Sequence, residues 1–231
     1  MDLKEAMACR HSVRRYTDRP LTAEATAALR AKIDETNART GLHIQLVTEE
    51  PRAFTGLLSY GKLKGVRNYI VMAGRKTPQL DLLTGYYGEE LVLLAQTLGL
   101  NTCWAGLTYR NVKGEYEIRK GEKLVCMIAL GYGEKQGFAH KSKSVEQVSN
   151  ASGDTPEWFR RGVEAALLAP TAVNQQKFRF EYCPVENGKA LVAALPGFSI
   201  FGYTKIDLGI ARLHFELGAG RGNFEFTEEI G

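Results

Sequence analysis

The chain has 231 residues, of which 44% are hydrophobic and 24% charged, a composition typical of a folded globular protein. Its formal net charge of +4 at pH 7 is too small and too dispersed to predict a nucleic-acid-binding protein. The longest apolar stretches, residues 91–95 and 124–130, fall well short of the roughly 20 residues that a bilayer-spanning helix needs. We therefore expect neither a membrane span nor a nucleic-acid partner.

The first residues, MDLKEAMACRHSVRR, carry charges where a signal peptide has an apolar core, so we expect a cytoplasmic protein. The four cysteines form no close pair, and no histidine lies three or four residues from a cysteine or from another histidine. These spacings predict free thiols and no metal site.

The first long helix is predicted from an apolar repeat. Ala25, Leu29 and Ile33 recur at helical spacing. Thr22 precedes them as a candidate N-cap, and Gly41 ends the run. The pattern predicts an amphipathic helix over residues 21–40.

Three segments before residue 133 predict strands. Residues 42–47 alternate, whereas 66–72 and 124–130 are apolar runs rich in branched residues, which indicates burial on both faces. Residues 88–98 are apolar on too many faces for a surface helix, and Gly99 is a natural stop. We expect a central, buried helix there.

Residues 133–154 are polar and predict either a linker between two lobes or a long functional loop. Thr155, as a cap, and Pro156, as the first helical residue, predict a helix that runs to Pro170. Residues 178–183 alternate as a strand does.

A last amphipathic helix is predicted over residues 207–218, with Leu208, Ala211, Phe215 and Leu217 as core candidates, followed by a short strand in NFEF. The order of elements lacks a regular βαβ rhythm and predicts an α+β fold. We expect a main lobe over residues 1–150 and a second lobe over 151–231, or one continuous domain.

The segment CRHSVRRY contains a candidate anion clamp. In an extended segment, Arg10, Ser12 and Arg14 would point to one side. Guanidinium groups donate paired, charge-assisted hydrogen bonds to phosphate, and a hydroxyl adds one more. A solvated basic stretch would have the same composition.

Several motifs resemble the FMN-dependent nitroreductase family. RHSVRRYTDRPL is similar to its amino-terminal signature, GYYGEELVLLAQTLGLNTCWAG to its central helix and the following turn, and MIALGYGEKQGFAHKSKSVEQV to its strand, glycine turn and basic segment. LLAPTAVNQQKFRF resembles a fourth block, which stands near residue 170 instead of soon after the first signature. That displacement resembles a two-lobed subgroup of the family.

The resemblance implies a nitroreductase-like α+β fold. A central mixed or antiparallel sheet would be flanked by helices, and a second, smaller carboxy-terminal lobe would complete the flavin site. It also implies a homodimer, with the flavin at the two-fold interface.

The resemblance assigns FMN-binding roles to the first signature and the basic segment. Arg10 and Ser12 would hold the phosphate and ribityl end, with His11 alongside. Arg14 would face the pyrimidine edge and stabilise the negative charge of the reduced ring. The resemblance also implies that Lys141 and Lys143 would form a second phosphate-binding pair, although they could otherwise be solvated surface.

The turn after the central helix and the displaced block complete the predicted site. The turn would offer backbone groups to flavin N5 and O4, and the block would contact the ring edge and the ribityl hydroxyls. The corresponding residues are Cys103, Trp104, Ala105 and Gly106 for the turn, and Pro170, Thr171, Asn174 and Gln176 for the block.

The implied activity is that of an FMN-dependent oxidoreductase. NADH or NADPH would be a transient hydride donor, and a small oxidised molecule such as a nitroaromatic or quinone would be the acceptor in a ping-pong cycle. No catalytic side chain is required, because the flavin carries the chemistry. The alternative is a non-catalytic protein of the same fold that binds FMN or another small ligand.

Overall fold

The computed structural model describes residues 1–55, 62–185 and 188–227. The chain divides into two compact units. Unit 1 comprises Met1–Asp2, Cys9–Leu80 and Glu90–Ala139, and unit 2 comprises Leu3–Ala8, Asp81–Glu89 and His140–Gly231. The last passage from unit 1 to unit 2 lies within the polar segment 133–154.

Helix α1 spans Leu3–Cys9, and helix α2 spans Ala23–Thr40 in unit 1. The Thr22 hydroxyl accepts a hydrogen bond from the Ala25 amide at 3.1 Å, and Gly41 takes a left-handed φ of 70°. Leu29 and Ile33 are at most 4% exposed. The predicted cap, stop and buried face of this helix are therefore confirmed.

Unit 1 contains a four-stranded antiparallel sheet in the order β1-β2-β4-β3. Its strands are β1 (Gln45–Val47), β2 (Asn68–Arg75), β3 (Asn101–Ala105) and β4 (Glu122–Gly131). All residues of β2 except the last are buried, as are the last seven of β4. This confirms the prediction that both strands are covered on both faces.

Strand β3 corrects one expectation, because residues 103–105 were predicted to form a turn. Cys103 pairs with Ala129 and Ala105 with Met127 on the adjacent strand. The five residues of β3 carry no pattern of their own that indicates this pairing, because the pairing depends on a strand more than twenty residues away. Gly106 follows the strand's last residue.

Helix α3 spans Leu80–Thr97. It begins well before the predicted start at residue 88, because the apolar pattern continues back through LDLLTGYY. Leu91, Val92 and Leu93 are fully buried, and Gly99 has a φ of 75°. The prediction of a buried central helix that ends at Gly99 is confirmed.

Unit 2 contains a three-stranded mixed sheet in the order β5-β6-β7, formed by β5 (Phe178–Cys183), β6 (Ala190–Pro196) and β7 (Phe224–Phe226). Strand β6 is antiparallel to β5 and parallel to β7. Both β5 and β7 were predicted. Strand β6 was not, because ALVAALP has little alternation to distinguish it from a helical segment.

The helices of unit 2 are α4 (Val145–Val148), α5 (Glu157–Ala166) and α6 (Thr204–Ala219). The predicted start of α5 is off by one residue, since Pro156 lies in the cap position with extended backbone and Thr155 lies outside the helix. The helix also ends before Pro170. Helix α6 begins one turn earlier than predicted.

Aromatic side chains form much of the core of unit 2. Phe180 and Phe215 stack at a centroid distance of 4.6 Å, and Phe159 meets Phe215 edge-on at 5.6 Å. Of the predicted core residues of α6, Leu208, Ala211 and Phe215 are buried and Leu217 is half-buried.

The sheets with their helices confirm the α+β class. None of the helices among the described residues combines the length and hydropathy needed to cross a membrane.

Candidate functional site

The segment that carries the predicted anion clamp is extended and fixed within unit 1. The Val13 amide donates to the Thr102 carbonyl at 3.0 Å, so the segment pairs with the outer edge of β3. The Tyr16 amide donates to the carbonyl of Lys64 at 2.9 Å. Val13 and Tyr16 are 3% and 4% exposed. Buried side chains and backbone pairing together hold this segment in the predicted extended form.

Three polar side chains of this segment act on the Cys103 thiol of β3. Burial raises the pKa of Cys103, while the charge of Arg14, a hydrogen bond from Ser12 and the charge of Arg10 act in the opposite direction. Arg10 is 4% exposed, whereas Arg14 is exposed. Two guanidinium groups and a hydroxyl are thus brought together in unit 1, a donor set suited to an anion.

Burial also raises the pKa of Tyr16 well above its ordinary value, and the charge of Arg14 acts against this shift. Tyr16 therefore stays a neutral phenol at physiological pH. Its hydroxyl donates to the Ala129 carbonyl at 3.4 Å. Tyr16 anchors the segment and does not contribute charge to the donor set.

A glycine-rich turn packs on the backbone of this donor set. A Cβ on Gly137 would lie 2.7 Å from the Cβ of His11 and 2.9 Å from the Ser12 carbonyl oxygen. The Asn101 side chain accepts from the Gly133 amide at 3.0 Å and donates to Gln136 at 2.9 Å. Neither Asn101 nor Gly137 was predicted from the sequence, although the spacing of glycines in GYGEKQG is typical of a close backbone approach.

The outer edge of β3 carries backbone groups on the same side as the paired segment. The Thr102 carbonyl points outward, toward Val13. Because backbone groups alternate along a strand, the N–H and C=O of Trp104 point toward that same edge. Ala105 is 2% exposed and Gly106 half-buried. The small residues leave little side-chain bulk next to this backbone.

In unit 2, residues 171–176 form a turn with unusual backbone angles. Val173, Asn174 and Gln176 have φ values of 47°, 55° and 45°, in the left-handed region. The amides of Asn174 and Gln176 donate to the carbonyl and hydroxyl of Thr171, each at 3.0 Å. Non-glycine residues in this region carry strain that the surrounding structure must hold, and such residues cluster at functional sites.

The side-chain amides of this turn hold the predicted basic segment. Gln176 accepts from the Lys143 amide at 2.9 Å and donates to the Lys141 carbonyl at 2.8 Å. Asn174 donates to the same Lys141 carbonyl at 2.9 Å and accepts from Gln176 at 2.8 Å. Both predicted parts of the site in this unit are therefore in direct contact.

The two lysines of the basic segment differ in their surroundings. Lys141 is exposed, whereas the Lys143 ammonium donates to the Gln176 carbonyl at 2.7 Å. Burial and the charge of Lys177 lower the pKa of Lys143. The ammonium of Lys143 supports the turn and also adds positive charge to it.

The structure divides the predicted site residues between the units. Those in unit 1 are Arg10, His11, Ser12, Arg14, Cys103, Trp104, Ala105 and Gly106. Those in unit 2 are Lys141, Lys143, Pro170, Thr171, Asn174 and Gln176. Within the described parts of the chain, no group of three or more His, Cys, Asp or Glu side chains is arranged to hold a metal ion. All four cysteines are free thiols.

Several solved structures share this fold at low sequence identity. A structure from Thermotoga maritima, reported as a "putative nitroreductase", has a TM-score of 0.65 and 22% identity over 94% of this chain and 83% of its own. A nitroreductase family protein from Clostridium difficile 630 has a TM-score of 0.51 and 17% identity, covering 68% of this chain and all of its own. A structure from Desulfovibrio desulfuricans, reported in complex with FMN, has a TM-score of 0.51 and 17% identity, covering 68% and 99%.

No curated protein sequence matches the chain at a significant level. A family model described as "Putative TM nitroreductase" matches residues 2–219, nearly the whole chain. The fold and this match agree with the resemblance found in the sequence motifs. The chain belongs to the nitroreductase family.

Proposed function

We propose that this protein is an FMN-dependent oxidoreductase that moves reducing equivalents from NADH or NADPH to a small oxidised acceptor, such as a nitroaromatic or quinone. The observation that carries the proposal is that Arg10, Ser12 and Arg14 all act on the same group of β3, the Cys103 thiol. Family membership supports it, and one structural relative is reported with FMN.

The donor set in unit 1 fits the phosphate of a mononucleotide. Two guanidinium groups close together repel each other, and a bound dianion would offset that repulsion. Arg10 is nearly fully buried, so a bound phosphate would interact with it under weak solvent screening. In this proposal Arg10 and Ser12 bind the phosphate, and His11 lies alongside.

Arg14 is assigned to the ring of the cofactor. FMN, when bound, would supply two-electron chemistry by accepting hydride from the nicotinamide and passing it on. A positive charge at the pyrimidine edge stabilises the reduced, anionic ring relative to the oxidised one. Arg14 should therefore raise the reduction potential of bound FMN.

The edge of β3 is assigned to orienting the ring. Trp104 would contribute backbone groups, and backbone groups of a paired strand are fixed before the cofactor arrives. The small side chains of Ala105 and Gly106 would let the ring approach closely. Cys103 would contribute through its position in β3 beside the arginines, and its thiol need not take part in the reaction.

The resemblance assigns the same cofactor to the turn and basic segment of unit 2. Lys141 and Lys143 would add positive charge for the phosphate, and Asn174 offers a second amide proton beyond the one given to Lys141. Pro170, Thr171 and Gln176 would shape the turn. We also propose, on the resemblance, that the protein works as a homodimer, and light scattering of the purified protein would measure the dimer. A cytoplasmic location is proposed from the charged first residues.

The visible absorption spectrum of the purified protein, before and after adding FMN and then NADH or NADPH without oxygen, tests the proposed function. Bound FMN that bleaches with the reduced nicotinamide supports an oxidoreductase, and reoxidation by a quinone or nitroaromatic would complete the cycle. Binding without bleaching would instead favour the non-catalytic alternative.

A matched pair of variants makes this test specific to the site. Arg10→Ala should abolish or strongly weaken FMN binding, whereas Arg30→Ala, which removes an exposed arginine of α2, should leave it unchanged. Absence of binding by the unaltered protein at high FMN concentration would overturn the proposal.

A further inference from the structure

A buried carboxylate accepts hydrogen bonds from the 171–176 turn. Asp207 on α6 is 2% exposed, and its two oxygens accept hydrogen bonds from the Ala172 amide at 3.0 Å and from the Gln175 side chain at 2.6 Å. The same Gln175 nitrogen donates to the Gly202 carbonyl at 3.0 Å. One acid thus holds the turn at two points.

These two points lie on either side of the strained residues. Val173 and Asn174, both with left-handed φ, stand between Ala172 and Gln175. Val173 is 73% exposed, so burial of its side chain does not hold it in place. Hydrogen bonds must offset the strain, and those to a charged acceptor are the stronger kind.

We propose that Asp207 is a positioning residue that holds the 171–176 turn in the shape in which Thr171 and Asn174 meet FMN. The inference rests on the proposed function, because it assigns the turn to the cofactor. Asp207 acts through Ala172 and Gln175 and has no contact of its own with the cofactor.

A carboxylate suits this position better than an amide does. Burial raises the pKa of Asp207 to about 6, so at neutral pH the group is ionised and accepts at both oxygens. Asparagine would keep one acceptor for Ala172 but would turn an N–H₂ toward the Gln175 donor. The Gln175 Oε1 is buried without a hydrogen-bond partner in the described structure. If the side-chain amide of Gln175 flipped, this oxygen would accept from the asparagine N–H₂, and the bond from Gln175 to the Gly202 carbonyl would be lost.

The positioning role of Asp207 is tested with the variants Asp207→Ala, Asp207→Asn and Gln175→Ala, and Glu164→Ala is the control. Glu164 is an exposed acid on α5 of the same unit. Hydrogen–deuterium exchange of peptides covering residues 171–177, measured without FMN, reports the shape of the turn alone. The FMN dissociation constant and the position of the visible bands of bound FMN report its effect on the cofactor.

We expect Asp207→Ala to speed exchange in the turn and to raise the FMN dissociation constant by about tenfold, the equivalent of one hydrogen bond to a charged group. Asp207→Asn and Gln175→Ala should show the same changes to a smaller extent, and they keep the test valid if Asp207→Ala does not fold. The visible bands of bound FMN should shift in these variants and not in Glu164→Ala.

Faster exchange with unchanged FMN binding and bands would overturn the positioning role and leave Asp207 only a structural anchor. Unchanged exchange in all three variants would overturn the inference outright. If the unaltered protein binds no FMN, the proposed function fails and this role fails with it. If the unaltered protein binds FMN and the variants match Glu164→Ala, only the role of Asp207 fails.

Discussion

The Nε2 atom of His214 lies 3.0 Å from a carboxylate oxygen of Glu89, and both side chains are fully buried in unit 2. The other ring nitrogen lies 3.2 Å from the Ala165 carbonyl. These contacts therefore join α3 to α5 and α6 within unit 2.

Replacing Glu89 with Ala should lower the free energy of unfolding by about 1–3 kcal/mol, because it leaves a fully buried ring nitrogen of His214 without its hydrogen-bond partner. Urea unfolding followed by circular dichroism measures this. The neighbouring Glu90, whose ion pair with Lys32 is partly exposed, is the matched control, and Glu90→Ala should cost about 1 kcal/mol or less. Equal losses for the two variants would contradict the prediction.

A methyl group on Gly137 should disturb the donor set of unit 1 directly. Its Cβ would contact His11 and the Ser12 carbonyl at distances that require the backbone to move. Gly137→Ala should therefore weaken FMN binding by about tenfold, in line with the 1–3 kcal/mol typical of overpacking. Isothermal titration with FMN measures the change. Gly153→Ala adds the same methyl group with nothing within 4 Å and should bind FMN normally; similar losses in both variants would argue against a role for Gly137.

The elements that sequence could predict are those whose determinants are local. Helix α2 has its cap at Thr22 and its left-handed stop at Gly41, both within one turn of its ends. Strand β5 alternates along its own length. Strands β3 and β6 were missed because they are specified by pairing, with β4 for one and with β5 and β7 for the other, and a short segment carries little of that information.

The same distinction applies to the candidate site. Arg10, Ser12 and Arg14 could be grouped in advance because alternation along an extended segment is local. Asp207 could not, because the chain folds it against Ala172 from 35 residues away. Gln175 was not predicted either, since nothing in QQ distinguishes the glutamine that contacts Asp207 from the one that contacts the basic segment.

Arg14→Gln should slow reduction of bound FMN more than it weakens binding. The charge of Arg14 is assigned to the reduced ring, whereas the phosphate is assigned to other residues. We expect the anaerobic rate of reduction by NADH to fall about tenfold or more, equivalent to roughly 1.4 kcal/mol of transition-state stabilisation, with a smaller change in the FMN dissociation constant. The reduction potential of bound FMN should fall as well.

Stopped-flow absorbance measures that rate, and Arg15→Gln provides the control. Arg15 is the exposed neighbour of Arg14, and its backbone carbonyl accepts from the Glu134 amide, a bond that the substitution retains. If Arg14→Gln loses FMN but reduces normally when saturated with it, Arg14 belongs to the phosphate clamp and not to the ring.

The stability difference between the unaltered protein and Asp207→Asn should depend on pH. Burial raises the pKa of Asp207 from its ordinary 3.8 to about 6, and the bonds from Gln175 and Ala172 only partly oppose this. Between those two pH values the folded protein holds a proton that the unfolded chain has released. The contribution of this raised pKa to the free energy of unfolding is therefore complete below about pH 4, and it is lost as the pH rises through about 6. Asparagine does not titrate, so subtracting the variant cancels the other carboxyl groups.

Urea unfolding of both proteins at a series of pH values between about 4 and 7 measures this difference. The advantage of the unaltered protein should shrink across the window by at most about 3 kcal/mol, the free energy of a shift of this size. Glu164→Ala should differ from the unaltered protein by a nearly constant amount, because Glu164 is exposed. A constant difference for Asp207→Asn too would mean that Asp207 titrates normally, and its carboxylate would then be hydrogen-bonded well enough for burial to cost little.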